Sequence, residues 1–206
     1  MVDASVENKL IAEGYSNVVG VDEAGMSSLA GSVYVGAAVF APGFDYLNLL
    51  PGLDDSKKKS PKQREVLYDL IKTYALASAT ACATIEEIEE HNIYWARFIA
   101  ARRAIKNLGV DPGYVLMDGN AIVPEITIPQ TAIIKGDTKS ISIAAASILA
   151  KVERDRYMCG LSVDVSDDFK WTSNNGYGTK AHIEALKKHG KTKYHRPRFV
   201  NKYLSE

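Results

Sequence analysis

The chain has only two cysteines, Cys82 and Cys159, in 206 residues. Their spacing fits neither a zinc site nor a disulfide framework, so a reducing compartment is expected. No apolar run is long enough to span a bilayer, and the stretch Met1-Val-Asp-Ala-Ser-Val-Glu-Asn lacks the basic-then-apolar pattern of an export signal. The expectation is a cytoplasmic protein with no membrane partner. Neither sign of charge is in surplus: 25 Lys and Arg balance 25 Asp and Glu. That argues against a protein whose whole surface grips nucleic acid, although a zero sum can conceal segregation. No glycine-rich loop ending in Lys-Ser or Lys-Thr occurs, which weakens a nucleoside-triphosphatase reading. Internal repeats, low-complexity tracts and linkers are also missing. One domain over residues 1–206 is expected, and an apolar share of 46% is enough for one good core.

The charge that is present falls unevenly. Lys180, Lys187, Lys188, Lys191, Lys193, Arg196, Arg198 and Lys202 face a single acid in that span, Glu184. A second basic group, Lys57, Lys58, Lys59, Lys62 and Arg64, adjoins Asp54 and Asp55. Alone, such runs read equally well as solvated surface. Beside a metal site they gain weight as phosphate contacts.

Apolar periods of 2 and 3.6 alternate along the chain, the pattern of an α/β fold. Residues 17–22 and 31–40 are predicted as the first two strands, joined by a turn containing Gly25 and Gly31. Residues 75–84, 114–118 and 131–135 are predicted as three more. Ser60-Pro61 is a helix start, and that helix runs to about Thr73. Residues 86–108 read as one or two helices ended by Gly109, with Tyr94 and Trp95 in the core. Residues 139–158 form the longest helix, with Ile141, Ala144, Ala145, Ile148 and Val152 on one face and alanines that permit close approach to a sheet. Thr179 caps a further helix that Gly190 ends. The tail beyond it is expected to be basic and irregular.

Asp22 and Glu23 close the apolar stretch of Val18, Val19 and Val21, with no basic residue nearby in sequence. Removing two carboxylates from water at a strand end is costly unless a positive charge shares the place. Asp118 closes Tyr114-Val-Leu-Met, and Asp137 precedes the longest helix. Four carboxylates at element ends, without a His or Cys cluster, favour Mg²⁺ or Mn²⁺ over zinc. Plainer readings exist: a solvated turn for Asp22 and Glu23, an Asp-Gly turn for Asp118, and a helix cap for Asp137. Capping and metal binding are compatible. Asp155 is expected to pair on a helix surface. His91, His182 and His189 have no ligand spacing.

Eight segments in order carry a resemblance: Gly20-Val-Asp-Glu-Ala-Gly25, Leu29-Ala-Gly31, Leu53-Asp-Asp-Ser-Lys-Lys58, Val115-Leu-Met-Asp-Gly-Asn120, Ile134-Lys-Gly-Asp137, Ser142-Ile-Ala-Ala-Ala-Ser-Ile-Leu-Ala-Lys-Val152, Arg154-Asp155-Arg156 and Gly176-Tyr-Gly-Thr-Lys180, with His195-Arg196 after them. Together they resemble the ribonuclease HII (type 2 ribonuclease H) family. The resemblance implies a ribonuclease H-like fold, with a five-stranded mixed sheet flanked by helices and a basic C-terminal helical region from about residue 160 to 206. It implies an endoribonuclease acting on RNA–DNA hybrids and on ribonucleotides embedded in DNA duplexes, here expected as a monomer.

The family's metal-binding carboxylates map onto Asp22, Glu23, Asp118 and Asp137. They would hold two ions, Mg²⁺ or Mn²⁺, with Asp22 bridging them, and the products would carry 5′-phosphate and 3′-hydroxyl ends. Tyr177 matches the tyrosine that packs on the sugar at the RNA–DNA junction, although a hydrophobic staple before Thr179 is the plainer reading. Ser56, Lys57, Lys139, Ser140 and Ser147 match positions near the nucleic-acid backbone; Ser142 and Ser147 read equally as helix-packing residues. The chain departs from the family after Gly25. Where the family continues Arg-Gly-Pro, this sequence has Met26-Ser27-Ser28, which removes a phosphate donor and adds a Cβ where close approach or positive φ favours glycine. Gly25, Met26 and Ser27 would still line the ribose 2′-hydroxyl site. The departure supports one alternative, a hybrid-binding protein of the same fold with weak or altered cleavage. Another metal-dependent phosphoryl-transfer enzyme is the second rival.

Overall fold

A computed structural model describes residues 2–54 and 56–204. Asp55, named above beside the second basic group, lies outside the described residues. The elements in chain order are α1 (Ser5–Ala12), β1 (Val18–Ala24), β2 (Val33–Val39), α2 (Tyr46–Leu49), α3 (Pro61–Tyr74), β3 (Ala77–Ala83), α4 (Ile85–Lys106), β4 (Tyr114–Asp118), β5 (Gln130–Ile133), α5 (Ile141–Leu161), α6 (Trp171–Asn174), α7 (Lys180–His189) and α8 (Pro197–Val200). The sheet order is β3-β2-β1-β4-β5. Strands β1, β2 and β3 pair antiparallel, while β4 lies parallel to β1 and β5 parallel to β4.

Local chemistry sets most helix starts. Ser60 Oγ accepts the Gln63 N–H while Gln63 Oε1 accepts the Ser60 N–H, and Pro61 takes the first helical position. Thr84 and Glu87 form the same reciprocal cap on α4. Helix α5 seats on one face of the sheet over two glycines. A Cβ on Gly20 would stand 2.0 Å from the Ser142 carbonyl carbon, and one on Gly36 would stand 2.2 Å from the Ala146 oxygen. The opposite face packs with α4 around Val19, Val21, Val35, Phe98, Ala101, Val115 and Met117.

Three regions differ from the sequence expectation. Helix α1 is only two turns long, so periodicity gives it little signal, yet its Glu7 is buried against the start of α5. One Glu7 oxygen accepts from Ser142 N–H (3.0 Å), Ser142 Oγ (2.6 Å) and Ser140 Oγ (2.5 Å), a carboxylate placed where the helix macrodipole favours it. Helix α4 is two helical segments joined through Asn92, at φ 62° and ψ 164°. The break resets the helical phase of the second segment, so Tyr94 and Trp95 are 43% and 50% exposed rather than core. The basic tail is not loose: it forms α8 and buries His195, Arg196 and Val200. Among the described residues no helix is long and apolar enough to cross a membrane.

Candidate metal centre and nucleic-acid cleft

Strand pleating distributes the acids. Gly20 faces α5, so Asp22, two residues on, faces the same way, and Glu23 faces α4. Val21 pairs with Met117 in the parallel β1–β4 ladder, which sets Asp118 beside Asp22 on the α5 face. Asp137 sits in a 3₁₀ turn, Gly136–Thr138, just before α5. Asp118 Oδ1 accepts the Gly136 N–H at 2.7 Å, tying that turn to the end of β4. Helix α5 is capped by Ser140 instead of Asp137.

Burial raises the Asp22 carboxyl well above its ordinary value, and the charges of Glu23, Asp118 and Asp137 push it further. Glu23 is raised to about 6, also mainly by burial, with Arg97 pulling it down and Asp118 pushing it up. Arg97 corrects the sequence picture of acids without a basic neighbour: its Nη1 lies 3.8 Å from Glu23 Oε1. Glu23 Oε2 is buried without a hydrogen-bond partner. Among the described residues no three acidic, His or Cys side chains form a ready ligand set, as expected of like charges that repel one another. The donors nevertheless suit a hard cation. All are carboxylate oxygens, one is buried and unpartnered, and a positive ion would relieve the repulsion on Asp22.

Beside these acids opens a cavity of about 240 Å³. Asp22 and Glu23, the turn from Ala24 to Ser27, Ser56, Lys57, Ser147, Lys151 and Tyr177 line it. Ser147 and Lys151 stand one turn apart on α5, so they present adjacent polar groups to the same wall. Lys151 Nζ and the Arg154 guanidinium lie 5.4 Å and 5.2 Å from the Tyr177 ring centre.

Two buried arginines hold the turn at the cleft edge. Arg154 donates to the carbonyls of Ser32 (3.2 Å), Asn175 (2.9 Å) and Ala30 (3.1 Å). Arg196 donates to Gly31 (2.7 Å), Gly25 (2.8 Å), Ser28 (3.0 Å) and, more weakly, Met26 (3.3 Å). Gly25 has φ +97°, and a Cβ there would stand 2.0 Å from Arg154 Nε. Met26, Ser27 and Ser28 have no positive φ. The Met26 side chain packs toward the core beside α4.

The ribonuclease HII family model matches residues 19–202, nearly the whole chain and all four acids. The chain belongs to the ribonuclease HII family. Ribonuclease HII of Caldicellulosiruptor bescii is 45% identical over 203 residues, covering 97% of this chain and 94% of that one. The Ehrlichia chaffeensis ribonuclease HII is also 45% identical over 203 residues, with 97% and 95% covered. Among solved structures, the Archaeoglobus fulgidus RNase HII in complex with PCNA superposes with a TM-score of 0.75 at 26% identity, covering 92% of this chain and 97% of that one. A Bst RNase HIII in complex with Mn²⁺ shares the fold, with a TM-score of 0.74 at 18% identity and 96% and 73% covered.

As a ribonuclease HII the chain is an endoribonuclease H. In this ribonuclease HII, Gly25, Met26, Ser27, Ser56, Lys57, Ser147 and Tyr177 meet at one cavity with Asp22 and Glu23. Ser140 does not join them. It is fully buried, accepts the Ile143 N–H as the α5 cap and donates to Glu7, so it cannot touch a strand. Lys139 is exposed beside Asp137 and does not line the cavity. Asp155 pairs with Lys151 (2.6 Å) and Arg64 (3.3 Å). Of the basic tail, Arg196 is internal and Lys188 pairs with Asp168 at 2.9 Å, so the tail is less uniformly free for phosphates than its sequence suggests. Sequence reasoning misses Arg97, Lys151 and the two clamping arginines. Lys151 alone has a readable signal, its position four residues after Ser147.

Proposed function

We propose that this ribonuclease HII hydrolyses the RNA strand of RNA–DNA hybrids and cuts at ribonucleotides embedded in DNA duplexes, leaving 5′-phosphate and 3′-hydroxyl ends. Asp22, Glu23, Asp118 and Asp137 would hold the Mg²⁺ or Mn²⁺ ions, two during catalysis. The observation that supports this best is that Asp22 stands beside Asp118 on one sheet face, with the turn that carries Asp137 tied to Asp118, where burial and the charges of the other acids leave Asp22 short of positive charge. When bound, the ions supply an activated water and stabilise the leaving 3′ oxygen. Asp22, which feels all three other acids, would be among the residues that hold the ions. Ser56, Lys57 and Lys151 provide hydroxyl and ammonium donors to backbone phosphates along the cavity wall, while the buried Ser147 gives its O–H to the Ala144 carbonyl and packs that wall. Tyr177, backed by two cationic side chains, packs on the sugar at the junction. The Met26–Ser27 backbone approaches the 2′-hydroxyl, with its conformation imposed by Arg196.

The rival reading of a binding protein with weak cleavage depends on a distorted turn. Ordinary φ at Ser27 weakens it. The test is incubation with labelled hybrid, all-DNA duplex and single-ribonucleotide duplex, each with Mg²⁺, Mn²⁺ or chelator. Metal-dependent cuts in the first and third are expected. Asp22→Asn and Asp118→Asn abolish them, while Asp22→Asn raises the metal-free melting temperature by relieving a buried, repelled carboxylate. Cleavage that persists in both variants overturns the assignment.

A further inference from the structure

We propose that Arg97 is a positioning residue for the metal centre: it holds Glu23 toward α4 in competition with an entering cation, and so sets how strongly the ions bind. Both side chains are largely buried, yet Arg97 Nη1 stops 3.8 Å short of Glu23 Oε1. A charge-assisted hydrogen bond closes to about 2.7–2.9 Å. Arg97 Nε and Glu23 Oε2 are both buried without a partner. A buried ion pair repays its desolvation only when its geometry is good and its remaining donors and acceptors are satisfied. Neither condition holds here, so the contact is a poor lock for the fold and one that Glu23 can leave.

The surroundings decide which partner stays. The Arg97 guanidinium lies over the rings of Tyr94 and Phe98, 4.7 Å and 4.5 Å from their centres, and those π faces stabilise the cation without help from Glu23. Glu23 has no comparable second home. Asp118 repels it, and of the two cations that act on it, Arg97 and Lys57, Arg97 is the stronger. Turning Glu23 toward Asp22 adds a like charge where Asp22 is already pressed by the other acids, a cost that a divalent ion reverses. Arg97 therefore acts as the resident counter-charge of Glu23, and the carboxylate is the member of the pair that moves.

The inference rests on the proposed carboxylate site, and the experiment separates the two. Binding of Mn²⁺ to the chain without nucleic acid is read from the paramagnetic resonance of the free ion, at about pH 8, above the value of about 6 to which Glu23 is raised. Arg97→Met keeps much of the bulk and removes the charge. Its Kd for Mn²⁺ should fall by about threefold or more, because the competitor for Glu23 is gone, while Arg97→Lys stays within about twofold of the parent. The same Arg97→Met change in a Glu23→Gln background should tighten binding by less, since no carboxylate is then contested. Should Arg97→Met fail to fold, Arg97→Gln carries the same comparison. An unchanged or raised Kd on loss of the Arg97 charge, or equal tightening in both backgrounds, overturns the inference alone when Asp22→Asn still weakens Mn²⁺ binding. Binding that neither Asp22→Asn nor Glu23→Gln weakens overturns the carboxylate site and the inference together.

Discussion

Replacing Arg196 by methionine removes the donor fork under the cleft turn while keeping much of its volume. Three carbonyls, those of Gly31, Gly25 and Ser28, lose bonds of 2.7 to 3.0 Å. An orphaned buried carbonyl costs about 1–3 kcal/mol. Part of that returns, because Arg196 is itself costly to bury: its Nη2 has no partner, and burial with the nearby Arg154 charge lowers its pKa to about 9. A net loss of about 3–5 kcal/mol results, the range for breaking a buried charged contact. For a chain of this size that is a fall of about 6–20 °C in Tm. Thermal and urea unfolding read it directly. Single-turnover cleavage should fall as well, since the turn loses the contacts that fix its carbonyls. Arg198→Met is the control: that side chain is exposed and 3.8 Å from Glu89, an arrangement worth about 1 kcal/mol at most. A Tm for Arg196→Met within about 3 °C of the parent would refute the clamp.

The buried histidines and the altered turn carry two further expected outcomes. His182 Nδ1 faces the Tyr177 carbonyl and must donate, so its Nε2 accepts from Trp171 and from His195 Nε2, both rings neutral. Burial lowers both, His195 to about 3 from an ordinary 6.5. Their contribution is complete above about pH 6.5 and is lost as pH falls, because the unfolded chain takes the proton first, at about 1.4 kcal/mol per pH unit for each ring. Glu23, raised to about 6, and Asp22 act in the opposite sense, favouring the folded state on acidification. In chelator, Asp22→Asn/Glu23→Gln should therefore lose urea stability more steeply than the parent between about pH 7 and pH 5; equal slopes would reject the neutral pair or the raised acids. Met26→Arg should restore incision at a single embedded ribonucleotide by about one to two orders of magnitude, the worth of one charge-assisted hydrogen bond formed in the transition state. Ser27→Gly alone should add little, because Ser27 has no positive φ to relieve. The reverse ranking in single-turnover assays would place the determinant at residue 27.

The legible part of this protein is whatever the chain states locally. Asp22 and Asp118 end apolar runs, so their strand-end positions come from periodicity, and the Ser60 and Thr179 caps fix their helices. Contacts made across the fold leave no such mark. Arg97 reaches Glu23 from another element, and in sequence it is one basic residue in a mixed helix. Arg196 groups by sequence with the surface charges of the tail, since nothing in its neighbours announces that its partners are carbonyls around Gly25 and Gly31. Tyr94 and Trp95 are misplaced by periodicity because a core assignment supposes an unbroken helical phase, and Asn92 resets it. Ser140 is placed near the nucleic-acid backbone by resemblance alone, and its true partner, Glu7, comes from a helix too short to register.

The seat of α5 bears on how freely this sequence can drift. A side chain at Gly20 or Gly36 would strike helix backbone, not the tip of a flexible neighbour, so no rotamer change absorbs it and the helix must lift as a unit. Ser147, Lys151 and Arg154 ride on that helix, and cavity wall and turn clamp would shift in one step. Tolerance is thus distributed against intuition: exposed Ser27, at the cleft, can vary, while two glycines that touch no substrate cannot. A random screen for inactive variants should return positions 20 and 36 alongside the carboxylates, and those hits would mark a bearing surface and not a reacting group.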